Sequence, residues 1–243
     1  MNKVSVINRL MPAVTDRDKP LGGIRYYAQG GMTCYIIRGK TGDLLIDTGL
    51  FQIKSGLTEW LEGYRIKHIF LTHAHADHDW NAAGLQAGGA KVILSERDRG
   101  LNRHFMSQPV KPTHPKYAFR NLTQLVNGSI FRSPAYTPDI YFTAGDSGLL
   151  RELGYPGEIV LLPGHTFGSA GILSGKVLYC GDAFTALWKR PDITPHAVSI
   201  EEMRTSLRRM LEISPEWLAC GHGLPLRFDA ARPVIEAYLR KKG

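Results

Sequence analysis

Residues 72–79 read Thr-His-Ala-His-Ala-Asp-His-Asp and follow directly on an apolar, β-rich run, His68 to Leu71. Four metal-capable side chains, His73, His75, Asp77 and His78, fall within six residues and are separated only by alanines, which leave room for an ion. In an extended stretch, side chains two residues apart point the same way, so His73 and His75 can grip one cation together. Asp77 and His78 follow where the chain turns toward a helix beginning near Asp79, which aims them at a second point close by. Histidine is rarely packed so densely in a plain core. The octet therefore reads as a place to hold cations, and the fold must present it at the end of a strand.

Three further metal-capable residues sit where later apolar runs stop. His165 closes Leu-Leu-Pro-Gly-His, Asp182 closes Leu-Tyr-Cys-Gly-Asp, and His222 closes Leu-Ala-Cys-Gly-His. A glycine just before each allows the turn that brings one polar side chain to the rim of a sheet. Together with the octet they make five histidines and two aspartates, enough for two metal ions that keep open positions for water and substrate.

The rest of the chain supplies an α/β frame. β-Type runs appear at Ile24 to Ala28, Cys34 to Arg38, Leu44 to Asp47, His68 to Leu71, Val92 to Leu94, Ile159 to Leu162, Val177 to Cys180 and Trp217 to Cys220. Ile53, Leu57, Trp60 and Leu61 keep a helical period up to Gly63, and Ile200 to Leu211 do so behind Ser199, with Glu202 completing a capping box. A last helix is expected within Asp229 to Arg240. No fixed-period repeat is present, so the 243 residues read as a single domain, 1–243, with an inserted lid segment at about 97–143. Five prolines and little periodicity mark that segment, in which one or two short helices are expected.

Composition excludes other classes. Apolar residues at 43% and charged residues at 21% are ordinary for a soluble protein and rule out a disordered, fibrous or coiled-coil chain. No apolar run approaches the length of a membrane span, and no partner membrane is expected. Net charge is +8, but the cations are scattered, so nucleic acid is not an expected partner. Cys34, Cys180 and Cys220 are odd in number and set in apolar runs, which fits a reducing cytoplasm better than a disulfide framework. The oligomeric state is left open.

The octet followed by ordered His, Asp and His resembles the metallo-β-lactamase-fold hydrolase superfamily over about residues 20 to 225. The resemblance implies a four-layer αββα sandwich with a dinuclear site at one edge. It implies that His73, His75 and His165 bind the first metal, that Asp77, His78 and His222 bind the second, and that Asp182 bridges both. Asp47, in the Asp-Thr-Gly turn at 47–49, then looks like a support that orients a metal-bound imidazole. Aspartate at 182, in place of cysteine, resembles the glyoxalase II, lactonase and phosphodiesterase branches more than the antibiotic-hydrolysing ones. Only 21 residues follow His222, too few for the helical glutathione-binding domain of glyoxalase II. Thr185 stands where acyl-homoserine-lactone hydrolases often have tyrosine, and Asp79-Trp80-Asn81 replaces the usual glycine-rich continuation.

The expected activity is that of a dinuclear metal-dependent hydrolase using a metal-bridging hydroxide on an ester, thioester or lactone of a small-molecule substrate. Asp77 or Asp182 would orient the nucleophile. Two zinc ions are the default, with iron or manganese fitting the same donors. Trp80, Phe184, Trp188 and Lys189 are the expected pocket residues, His68 is expected in a strand, and His104, His114 and His196 are expected at the solvent-exposed surface. The alternatives are a phosphodiesterase of the same fold, a mononuclear iron sulfur dioxygenase and a non-catalytic binding protein.

Overall fold

The structure, a computed structural model, describes residues 12–119, 122, 132–187 and 190–241. The first half of the chain forms β1 (Val14–Thr15), β2 (Arg25–Gln29), β3 (Met32–Arg38), β4 (Asp43–Ile46), β5 (Ile66–Phe70) and β6 (Lys91–Ser95), then the two-residue β7 (Lys111–Pro112) and β8 (Ile140–Phe142). All but β7 join one seven-stranded sheet in chain order. β1 to β4 are antiparallel, whereas β4, β5, β6 and β8 run parallel. Parallel neighbours need crossovers. These are α1 (Lys54–Trp60), between β4 and β5, and the short α2 (Ala76–Asp79) and α3 (Ala82–Ala87), between β5 and β6.

After α4 (Leu149–Glu152) come β9 (Glu158–Leu161), β10 (Ala170–Ser174), β11 (Val177–Gly181), β12 (His196–Ala197), α5 (Ile200–Ile213), β13 (Trp217–Cys220), β14 (Leu226–Arg227) and α6 (Phe228–Arg240). The second sheet has the order β14-β13-β11-β10-β9, with α5 crossing between the parallel pair β11 and β13. On α5, Ser199 Oγ accepts from Glu202 N at 3.2 Å. The Glu202 carboxylate instead takes Arg97 at 2.9 Å, and the left-handed Ser214 ends the helix.

Side-chain alternation sorts the strands into layers. Tyr35, Ile37, Leu44, Ile46 and Phe70 point inward and meet Ile159, Ile172, Tyr179 and Ala219 of the second sheet. Their neighbours Cys34, Ile36 and Leu45 point outward against Leu57 and Trp60 of α1. On the far side Leu178, Cys180, Leu218 and Cys220 pack against Met203, Leu207 and Met210 of α5 and Phe228 and Ile235 of α6. The result is the four-layer αββα sandwich. Each such fully buried side chain contributes roughly 1.5–3 kcal/mol, so these layers can offset the costly polar burial at the sheet edge described below.

The segment drawn at 97–143 needs correction at both ends. Ile140–Phe142 is a strand of the first sheet, and Asp98 is a core residue. The described residues between them include two single-turn 3-10 helices, Phe105–Ser107 and Pro115–Tyr117, and β7, which pairs with β12. Thr113 reinforces that pairing, donating from Oγ1 to Thr194 O at 2.6 Å and from N to Pro195 O at 3.0 Å. The excursion is stitched onto the loop that follows β11.

Candidate metal centre

β5, β9, β11 and β13 all run out at the same edge, in the cleft between the sheets, and release His73 and His75, His165, Asp182 and His222 there. Two backbone bonds clamp the sheets at this edge, Thr33 N to Gly221 O and Ala170 N to Thr72 O, each 2.9 Å. The glycine at 221 is needed for close approach. A Cβ there would lie 2.4 Å from His78 Cε1 and 2.5 Å from Asp182 Oδ1. Gly181 needs its freedom for another reason, a left-handed φ of 51° against the Thr72 side chain. The octet differs locally from the sequence expectation. The helix starts at Ala76 instead of near Asp79, so Asp77 and His78 both lie in its first turn.

The donor atoms form three sets, each within 4.8 Å: His73, His75 and His165; His73, His78 and Asp182; Asp77, His78 and His222. Asp182 lies at the centre, 3.5 Å from His78 Nε2 through Oδ1, and 3.3 Å from His222 Nε2 and 3.7 Å from His165 Nε2 through Oδ2. Asp77 Oδ2 is 3.3 Å from His222 Nε2 and 3.9 Å from His78 Nε2. Buried polar atoms normally find partners, yet His73 Nε2, His75 Nε2, His78 Nε2 and Asp182 Oδ1 have none. Three of these, on His73, His78 and Asp182, converge on the cleft, and His75 faces it through Nδ1, 3.0 Å from His165 Nε2, which is what a cation-binding cradle presents.

Three of the rings, those of His78, His165 and His222, are pinned from behind at Nδ1. His78 Nδ1 lies 2.8 Å from Asp47 Oδ2, His165 Nδ1 2.9 Å from His196 O, and His222 Nδ1 3.2 Å from Gly31 O. An N–H held by such an acceptor leaves Nε2 with its lone pair toward the cleft. Asp47 is itself held in a left-handed conformation (φ 56°), and its Oδ1 accepts Thr72 N at 2.8 Å. Asp98, absent from the residues expected at the site, does similar work for the backbone. Fully buried, it accepts from Ala74 N, Thr166 Oγ1, Gly168 N and Gln108 Nε2 at 2.8–3.2 Å, joining the loop of His73 and His75 to the loop of His165. An isolated aspartate in Glu-Arg-Asp-Arg gives no signal of that role.

The electrostatics divide the histidines into two kinds. Burial, with His78 and other imidazoles close by, holds His73 well below its ordinary value, and burial beside His165 brings His75 down to about 3. Burial also opposes charge on His78, but Asp182, Asp47 and Asp77 outweigh it and lift His78 to about 9; Asp182 and Asp77 raise His222 in the same sense. The carboxyls of Asp77 and Asp182 are pulled below their usual range by those imidazoles, against the effect of burial. A histidine raised from 6.5 stabilises the folded state fully below 6.5, and that contribution is lost as pH rises through about 9. Bound cations must displace the same protons. The melting temperature of chelator-treated protein is therefore expected to fall between pH 6.5 and 9, and the gap to metal-loaded protein to widen. Thermal melts of both forms across that range check this, and a constant gap would contradict it.

A cavity of about 640 Å³ opens beside these donors, with His75, Asp77, His165, Asp182 and His222 in its wall. The expected pocket residues fare differently. Phe184 is fully buried beneath α5 and α6, since Asp182 faces the cleft while the next residues turn under it into the core. Trp80 is not in the wall; its ring packs 5.2 Å from that of Phe51. Trp188 and Lys189 lie outside the described residues. Thr185, Leu187, Arg190 and Ile193 from the loop after β11, with Tyr117 from the excursion, line the cavity instead. His196, expected at the surface, is only 8% exposed and lines it too. His104 is exposed and His114 half-buried, while His68 lies in β5 with Nδ1 2.8 Å from Tyr155 Oη.

A family model described as the metallo-beta-lactamase superfamily matches residues 29–222. YobT of Bacillus subtilis (strain 168), an uncharacterized protein, is 29% identical over 230 residues, spanning 87% of this chain and 91% of that one. YflN of the same organism, a probable metallo-hydrolase, is 26% identical over 214 residues, spanning 75% and 76%. Among solved structures, TTHA1623 in a di-iron-bound form shares the fold at a TM-score of 0.60 and 23% identity, over 91% of this chain and 97% of that one.

Proposed function

The chain belongs to the metallo-beta-lactamase superfamily and is a metal-dependent hydrolase; from that premise we propose a two-cation enzyme that cleaves an ester, thioester or lactone of a small-molecule substrate. His73, His75 and His165 would hold one cation and Asp77, His78 and His222 the other, with Asp182 shared between them. The observation that carries this reading is the convergence of the partnerless His73 Nε2, His78 Nε2 and Asp182 Oδ1 with His75, His165 and His222 in one cleft, where His78, His165 and His222 have Nδ1 already pinned from behind. Imidazole and carboxylate donors suit zinc, and also iron or manganese. Three buried free cysteines suit a reducing compartment such as the cytoplasm. Among the described residues, no helix is long and apolar enough to cross a membrane.

When bound at such donors, divalent cations lower the pKa of a water molecule toward about 7 and polarise a carbonyl oxygen. The chain's own groups do the rest. Asp77 and Asp182 stay ionised through the neutral range and can accept a hydrogen bond from the attacking water, which fixes its direction. Asp47 holds His78 in place, while Leu187, Ile193 and Pro195 offer an apolar wall to the body of the substrate. Arg190 lines the cavity, but Asp77, Asp182 and Asp192 share that wall. This balance suits a neutral carbonyl better than a phosphodiester.

Metal analysis of the purified protein, followed by a panel of esters, thioesters, lactones, β-lactams and bis(p-nitrophenyl) phosphate, tests the reading. Two transition-metal ions per chain and preferred cleavage of a carbonyl substrate are expected. Phosphodiester turnover exceeding every carbonyl substrate by about tenfold in kcat/KM would overturn the substrate class.

A further inference from the structure

A second cavity, of about 370 Å³, lies behind the wall of the first, and Tyr117, Asp192 and Ile193 line both. Its floor is one stripe of α6. Val234, Ala237 and Tyr238 recur at i, i+3 and i+4 and so share a face, Ala237 exposed and the other two half-buried. The partition is a side-chain pair joining two loops. Tyr117 Oη donates to Asp192 Oδ2, Lys116 Nζ approaches that oxygen at 3.3 Å, and Asp192 Oδ1 accepts Ile193 N at 2.8 Å. Tyr117 sits on a single 3-10 turn of the excursion and Asp192 on the loop after β11, so the threshold belongs to the same two segments that frame the reaction cleft.

An apolar floor open to water gains free energy when covered. Its occupant is indicated by its place beside the cleft: a group entering the first cavity and extending past Tyr117 meets this floor next. We propose that the second cavity is a subsite for the distal apolar arm of the substrate, a linear acyl or alkyl chain of medium length whose reactive carbonyl lies in the first cavity. The Tyr117–Asp192 pair is the threshold over which the arm passes. This inference rests on the carbonyl-hydrolase reading for the identity of the reacting group, but the floor and the threshold stand independently of it.

The test compares binding of butyrate and decanoate to the metal-loaded protein by calorimetry, alongside hydrolysis of p-nitrophenyl butyrate and decanoate. A methylene leaving water for this floor tightens binding by up to about fourfold, so decanoate is expected to bind at least about tenfold tighter than butyrate. Ala237→Trp, at an exposed position, fills the cavity and is expected to bring that ratio close to one; Val234→Phe serves the same purpose should the first variant fold poorly. An unchanged ratio in a folded variant, or no preference in the wild type, overturns the subsite. Preferential decanoate binding that these variants abolish, with no carbonyl substrate cleaved, would leave the subsite standing and remove the carbonyl-hydrolase reading. Cleavage indifferent to chain length would do the reverse.

Discussion

Asp182→Ala is expected to strip the site of most of its metal and to lower kcat/KM by roughly a thousandfold, the equivalent of several kcal/mol of lost transition-state charge stabilisation. The side chain is 9% exposed and lies within 3.7 Å of the Nε2 atoms of His78, His165 and His222, which no other carboxylate among the described residues matches. Without it, two cations would face each other with one less compensating charge. The fold should survive. Asp182 Oδ1 accepts no hydrogen bond, and Oδ2 faces only candidate ligands, so little of the scaffold is tied to this residue. Metal content per chain, circular dichroism and turnover on the best substrate separate the outcomes. His75→Ala is the companion variant, and a full metal complement in both would refute the assignment.

What the sequence made legible follows from periodicity and from residue type. Strands that alternate between two apolar layers, such as β3 with Tyr35 inward and Ile36 outward, announce themselves. So do histidines spaced by alanine, because nothing in ordinary packing calls for them. β8 and β10 were harder to see. The three residues of β8 reach the sheet only after an excursion of more than forty residues, and Ala-Gly-Ile-Leu-Ser in β10 carries little β signal. The cavity wall departs from the sequence expectation for a geometric reason. Beyond Asp182 the chain no longer alternates as a strand, so Phe184 turns into the helical layer while Thr185 and Leu187 reach the cleft. Trp80 follows α2 directly, and that short helix carries it toward Phe51. Roles that depend on where several loops meet, like that of Asp98, leave no local trace.

Asp98→Ala should show how much the site depends on that meeting point. Four buried donors would lose this acceptor at once: the amides of Ala74 and Gly168 would be left without a partner, while Gln108 Nε2 would keep Arg97 O and Thr166 Oγ1 would keep Ser169 Oγ. Leaving a buried donor unsatisfied costs about 1–3 kcal/mol each. Part of that is recovered by relaxation and by water entering the space of the lost carboxylate, so a net destabilisation of about 3–5 kcal/mol is expected. For a chain of this size it corresponds to a fall of about 10 °C in melting temperature. The loss is directional as well, because Ala74 sits between His73 and His75 while Thr166 follows His165. The set formed by those three histidines should therefore weaken before the set of Asp77, His78 and His222, giving a protein that retains closer to one cation than two. It also explains why cutting out residues 97–143 as a block would not isolate the role of the excursion, since Asp98 and β8 would leave with it. Calorimetric melts of the metal-free variant, paired with a stepwise metal titration, read the two effects separately. A melting temperature within about 2 °C of the wild type, with both cations bound at full affinity, would mean that the two ligand loops hold their geometry without this carboxylate.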